Sequence, residues 1–193
     1  MESKGYMFLK RLGDILISAF FLILLLPVFA LIALWIKLDS KGPVFFLQKR
    51  VGKGKTHFRI VKFRTMYTSA PKDMPTHLVQ NSGSMITKAG RILRKTSLDE
   101  LPQLWNILKG EMSLVGPRPP LPAEVCKYTL EERKRLHIKP GITCIWQISG
   151  RSDIPFKQQV KLDEQYIRSH GILKDLIILL KTIPAVITGK GAY

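Results

Sequence analysis

The amino-acid sequence predicts an α+β chain held to a membrane by its N-terminal part. Three observations carry this expectation. Ile15 to Ile36, ILISAFFLILLLPVFALIALWI, runs 22 residues without a charge. Two short segments, VFFLQKR and HFRIVKFRTM, flank a Gly-Lys-Gly-Lys turn and read as paired strands. The remainder alternates helical spacing with Pro and Gly breaks. A length of 193 residues suits one domain with a sizeable core plus an appendage.

The apolar run is long enough to cross a bilayer as a straight helix, which takes roughly 20 residues. It is too long for a cleavable signal peptide, and no small-residue cleavage site follows Trp35-Ile36. Pro27 near its middle removes a backbone hydrogen bond and breaks the run. Each half then reaches only about 18 Å at about 1.5 Å per residue. Lys4, Lys10 and Arg11 precede the run, and Lys37, Lys41, Lys49 and Arg50 follow it. Positive charge on both flanks suits a hairpin that enters and leaves on one face, whereas a proline-kinked spanning helix stays open on these residues alone.

Ser40-Lys41-Gly42-Pro43 marks a turn before the first strand candidate. Lys49 to Arg64 holds seven Lys and Arg and no acid, either a solvated hairpin or a surface for phosphates and lipid headgroups. Tyr67 to Ser84 lacks periodicity and reads as a long loop. TKAGRILRKT is a short basic helix carrying Arg94. Leu98, Leu101, Leu104, Trp105 and Leu108 have helical spacing, with Gly110 as the stop. LEERKRLH reads as a charged, solvated helix, KPGITCIWQISGR as turn, strand and turn, and LDEQYIRSH as helix. ILKDLIILLKTIPAVI, interrupted by Lys174, Asp175 and Lys181, is a poor spanning helix; it suits the membrane interface or the core.

The adjacent Asp99-Glu100 pair in TSLDELPQLWNILKG admits two readings. Ser97-x-x-Glu100 before an apolar run matches a capping box, with Asp99 favouring the helix dipole. Pro102, however, would fall in the fifth helical position, where its ring and missing donor are unfavourable. In the other reading a carboxylate there attacks phosphorus or holds a divalent cation such as Mg²⁺, with Arg94 and the proline-flanked Arg118 holding phosphate oxygens.

The net charge of +17 points to an anionic partner. A nucleic-acid binder would show spread basic stripes or aromatic platforms, whereas the most distinctive segment here concentrates acids and prolines. Nucleic acid is therefore excluded. Cys126 and Cys144 have neither metal-site nor disulfide spacing and read as buried small hydrophobes in a reduced compartment.

The succession of KFRTM (Lys62 to Met66), TSLDELPQLWNILKGEMSLVGPRP (Thr96 to Pro119) and KPGITCIWQISGR (Lys139 to Arg151) resembles the bacterial sugar transferase family. These are monotopic polyprenyl-phosphate phosphoglycosyl transferases, and the chain resembles their minimal form. The resemblance implies a re-entrant helix-break-helix hairpin over 1–38 with Pro27 as the break. It implies a cytosol-facing catalytic domain over 39–193, with a small β-hairpin and amphipathic interfacial helices, on the bacterial inner membrane. It also implies transfer of a sugar-1-phosphate from a UDP-sugar to undecaprenyl phosphate, releasing UMP in a ping-pong reaction. Asp99 would be the nucleophile and the Mg²⁺ ligand, and Glu100 its partner. Arg94 and Arg118 would clamp phosphate, with Lys62, Arg64, Gln147, Arg151 and Asp163 around the nucleotide-sugar pocket. Two positions depart from the family pattern: Leu26 stands where a small hydroxyl residue often precedes the proline, and Glu111 where aspartate is common. The oligomeric state stays open, a homodimer on the membrane included.

Overall fold

The computed structural model describes residues 4–71, 82–189 and 191. Its first two helices, α1 (Lys4–Leu24) and α2 (Leu26–Asp39), meet at an angle of 60°. The break falls at Leu25, two residues before the expected position. Pro27 therefore sits in the first turn of α2, where its missing N–H is one of the donors a helix start leaves free in any case. Backbone bonds bridge the corner without a side-chain hydroxyl: Leu25 N–H donates to Phe21 O at 2.9 Å and Phe29 N–H to Leu25 O at 2.8 Å. Among the described residues no single helix is long and apolar enough to cross a membrane, although the bent pair is so by length and composition.

β1 (Phe45–Val51) and β2 (His57–Phe63) form the expected antiparallel ribbon. The loop expected over Tyr67 to Ser84 lies mostly outside the described residues, which resume with the short α3 (Ser82–Met85). The basic helix is α4 (Lys88–Lys95), capped by the Thr87 hydroxyl on Gly90 N–H at 2.9 Å. A 3-10 helix, Leu98–Gln103, runs straight into α5 (Leu104–Lys109), and Gly110 ends it at φ 83 as the sequence predicts. β3 (Ser113–Val115) then pairs in parallel with β4 (Gly141–Thr143). Between them lie α6 (Pro122–Val125) and a 3-10 helix, Glu132–His137. α7 (Phe156–Ser169) and α8 (Ile172–Thr188) complete the chain.

One core gathers Phe58, Ile60, Leu104, Ile107, Met112, Leu114, Val115, Tyr166 and Ile178, joining the ribbon, α5, β3, α7 and α8. A smaller one joins α2 to the ribbon and α4 through Ile32, Ile36, Phe63 and Leu93. Outside these cores an apolar surface stays bare: Phe8, Leu16, Phe20 and Ile23 on α1, Leu31 and Leu38 on α2, Leu173, Leu180 and Ile187 on α8. α8 combines the two readings left open, with Asp175 and Ile178 buried, Leu179 packed against the core, and Leu173, Leu176, Leu180, Ile183 and Ile187 exposed.

The polar half of α1 is fastened to the domain. Arg11 donates to Ile107 O and Leu108 O at 2.6 and 2.7 Å, closing the free carbonyl end of α5. Buried Asp14 accepts from Leu114 N–H at 2.9 Å and from the Ser113 hydroxyl at 3.1 Å. Lys10 pairs with Asp175 at 2.6 Å, and the Tyr6 and Tyr166 hydroxyls donate to the same carboxylate. One expectation is corrected here. LEERKRLH is not a solvated α-helix: it closes into a 3-10 turn with Arg135 and Leu136 buried, because Arg135 pairs with Asp163 of α7 at 2.6 Å.

Candidate active site

The Ser97–Glu100 capping box does not form. Ser97 adopts φ 56, a left-handed backbone, and its side chain makes no cap bond. Glu100 instead turns away from the helix start and accepts from Lys62 Nζ at 2.5 Å and Arg118 Nη1 at 3.2 Å. Pro102 is accommodated because the segment winds as a 3-10 helix rather than an α-helix. The irregular start that the sequence signals is therefore real, and it frees both carboxylates for the interior of a cleft.

Close backbone packing brings the parts together. The Cβ of any other residue at Gly90 would lie 2.0 Å from Thr65 O, so α4 can touch the end of β2 only through glycine. That approach lets Arg94 Nε donate to the Thr65 hydroxyl at 2.9 Å. At Gly116 a Cβ would meet Lys139 O at 2.4 Å. The β3–β4 pairing continues past it, with Gly116 N–H on Thr143 O and Gly141 N–H on Pro117 O, seating the loop that presents Arg118. Asn106 ties α5 to β2, accepting from Val61 N–H at 3.0 Å and donating to Arg59 O at 2.7 Å. Glu111 accepts from the same amide at 2.7 Å, which gives this departure from the family pattern a supporting place behind the site.

The result is a cavity of about 560 Å³ lined by Lys62, Arg64, Arg94, Asp99, Glu100, Arg118, Gln147 and Arg151. Eight of the nine residues that the sequence reading placed at the site thus come together there. Arg64 does so with its guanidinium committed elsewhere, to the Ser40 hydroxyl, Ser40 O and Pro43 O, tying β2 to the end of α2. Asp163 stands apart: it does not line the cavity and is paired with Arg135 behind Trp146. Sequence reasoning missed Trp146, Gln48 and Arg50, which also line the cavity.

The two neighbouring carboxylates have opposite electrostatics. Burial pushes Glu100 up, but the charges and hydrogen bonds of Lys62 and Arg118 override it and hold Glu100 well below the usual carboxylate range. Burial also raises Asp99, the Glu100 charge raises it further, and Lys62, Arg94 and Arg118 offset only part of this. Asp99 makes no hydrogen bond or ion pair among the described residues, although it is 8% exposed. A buried carboxylate with no protein partner, beside several cations, can act as a nucleophile or a cation ligand. Among the described residues no cluster of three or more His, Cys, Asp or Glu forms a metal cage.

Comparison with known proteins gives a consistent family. A family model described as "Bacterial sugar transferase" matches residues 5–189. The exopolysaccharide production protein ExoY of Rhizobium meliloti is 39% identical over 199 residues, spanning 95% of this chain and 88% of its own. The UDP-glucose:undecaprenyl-phosphate glucose-1-phosphate transferase of Caulobacter vibrioides is 39% identical over 193 residues, spanning 95% of this chain and 72% of its own. The undecaprenyl-phosphate galactose phosphotransferase of Salmonella typhimurium is 38% identical over 208 residues, spanning 100% of this chain and 43% of its own.

Proposed function

The chain belongs to the bacterial sugar transferase family, and from that premise we propose that it moves a sugar-1-phosphate from a UDP-sugar to undecaprenyl phosphate. The products are a polyprenyl-diphosphate sugar and UMP, a first membrane step in exopolysaccharide, capsule, lipopolysaccharide or other glycoconjugate assembly. The observation that carries this reading is the division of labour between Asp99 and Glu100: one carboxylate is fully engaged by cations, and its neighbour is buried beside them with no partner among the described residues.

An Asp99 carboxylate oxygen attacks the sugar-bearing phosphorus, and the bond from that phosphorus to the bridging oxygen breaks, releasing UMP. A phosphate oxygen of the lipid then attacks the same phosphorus and restores the carboxylate. Two steps need one nucleophile and never require both bulky phosphates to react in the site together. Arg94 and Arg118 hold phosphate oxygens, and Glu100 fixes Lys62 and Arg118 in place. The Asp99 carboxylate, without a partner among the described residues, fits Mg²⁺, which keeps few protein ligands and takes its remaining oxygens from substrate and water. When bound there, Mg²⁺ neutralises diphosphate charge.

Membrane placement follows from the same chemistry, because a lipid phosphate lies at headgroup level while a nucleotide sugar is soluble. The bent α1–α2 pair, read as a re-entrant monotopic hairpin, and the bare face of α8 would seat the cavity at the cytoplasmic surface of the bacterial inner membrane. Surface charge of +17 would attract both anionic lipid and substrate. The test is UMP release from a panel of UDP-sugars by detergent-solubilised protein with undecaprenyl phosphate and Mg²⁺, run beside Asp99→Asn. Turnover that needs the lipid and vanishes in the variant supports the scheme. Full activity in Asp99→Asn removes the covalent step, and no release from any sugar removes the transferase.

A further inference from the structure

Arg50 lies outside the three motifs quoted for the family resemblance, yet its side chain lines the cavity. Phe46 pairs with Lys62 and Arg50 with Phe58, so Arg50 and Lys62 share one face of the β1–β2 ribbon. Arg50 Nη1 donates to Pro119 O at 3.0 Å and Nη2 to Gln48 Oε1 at 2.6 Å. Both acceptors are neutral, and the buried Nε has no partner among the described residues. Lys62 and Arg118 share Glu100, and Arg135 has Asp163, whereas Arg50 forms no ion pair among the described residues. Burial and the neighbouring Arg118 charge push its guanidinium down to about 10. A half-buried cation of this kind has no ion-pair partner among the described residues.

Its place in the cavity indicates which anion. On β1 Arg50 lies four residues beyond Phe46, the cross-strand partner of Lys62, and its bond to Pro119 O sets its guanidinium beside the loop that presents Arg118. Arg118 in turn bonds Glu100, the neighbour of Asp99, and so links the Asp99 end of the cavity to Arg50. We propose that Arg50 and Arg118 form a phosphate-monoester subsite one step beyond the phosphorus that Asp99 attacks, used first by departing UMP and then by the incoming lipid phosphate. This rests on the phosphoglycosyl transfer proposed above.

Displacement at phosphorus is in line, so the group that leaves and the group that later enters both lie opposite Asp99. Each is a phosphate monoester. In the first step the electron pair of the breaking bond stays with the bridging oxygen, and the nucleotide phosphate passes from singly charged diester to doubly charged monoester without a proton transfer. A guanidinium not already neutralised by a protein carboxylate stabilises that growing charge.

Arg50→Gln tests this in the full-length protein, because glutamine can still donate to Pro119 O while removing the charge. The inhibition constant of UMP and the KM for undecaprenyl phosphate should both rise about 10- to 100-fold, the loss expected for a charged hydrogen bond. Thermal stability should not fall, and Arg50→Lys should recover part of both losses. Unchanged constants, or a rise for one phosphate without the other, would overturn the shared subsite. Calorimetric titration of UMP into wild type and Arg50→Gln reads the subsite separately from turnover. Wild-type UMP binding that weakens in the variant, with no transfer from any UDP-sugar, would sink the transferase reading and leave the subsite standing.

Discussion

Two clusters of charge, one lining the cavity and one away from it, are built to opposite rules. Away from the cavity Arg135 and Asp163 pair at 2.6 Å, with the Tyr128 hydroxyl on Arg135 and the rings of Tyr128 and Phe156 against its guanidinium. One cation meets one anion, and no part of the pair lines the cavity. In the other cluster Lys62, Arg94, Arg118 and Arg50 surround Asp99 and Glu100, and the surplus positive charge opens onto the cavity. Both clusters carry the desolvation cost of buried ions. In the first, one cation is matched by one anion; in the second, four cations face two carboxylates. A charge balance left incomplete is what separates a site for an anionic ligand from a scaffold, and burial alone does not distinguish them.

The sharpest way to break the comparison is Asp99→Asn. Loss of the proposed nucleophile should lower UMP release by on the order of 10⁴-fold or more. The fold should gain at the same time. Because the folded-state pKa of Asp99 is raised, its stabilising contribution is complete below the ordinary carboxylate range and is lost as pH rises through the raised value. At neutral pH the charged form is thus a cost, and the asparagine variant should melt at least about 2 °C higher. A lower melting temperature would contradict the account of Asp99.

Glu100→Gln should damage both properties. Its depressed pKa means that its stabilisation is present above the ordinary carboxylate range and is lost only as pH falls through the lower folded value. Removing the shared acid should slow UMP release about 10²- to 10³-fold and lower the melting temperature at neutral pH. In the closed cluster, Asp163→Leu should cost about 3–5 kcal/mol, or about 6–20 °C in melting, by stranding Arg135. Adding Arg135→Met should recover most of that, and a double variant as unstable as the single would show that packing rather than charge dominates there.

The smallest effect expected is in a pH profile. Lys62 is the strongest charge holding Asp99 down, so Lys62→Met should move the acid limb of activity to higher pH. An unmoved limb would assign that ionisation to a group other than Asp99.

Much of this was legible in sequence because it depends on local order. The apolar run, the Gly-Lys turn between the strands and the Gly110 stop each announce their element, and the three family motifs supply seven of the eight site residues that line the cavity, with Arg94 just before the second. The rest depends on partners far along the chain. Ser97-x-x-Glu100 looks like a cap because Lys62 and Arg118 lie 38 and 18 positions away from Glu100. Arg135 looks solvated because Asp163 is on another helix. Arg50 was hidden in a run of seven Lys and Arg. The period-two alternation of β1, which sets Gln48 and Arg50 on one face, was the signal that could have separated it from Lys49.

The fastening of α1 to α5 and β3 through Arg11 and Asp14 carries a practical consequence. Those bonds run to the segment between Glu100 and Arg118, so the N-terminal helix is a strut of the part of the chain that holds the cavity. Cutting the chain after residue 38 to raise its solubility would remove that strut. The route to a soluble form is to keep α1 whole and repaint its outward face, exchanging Phe8, Leu16, Phe20 and Ile23 for polar residues while Lys10, Arg11 and Asp14 stay in place.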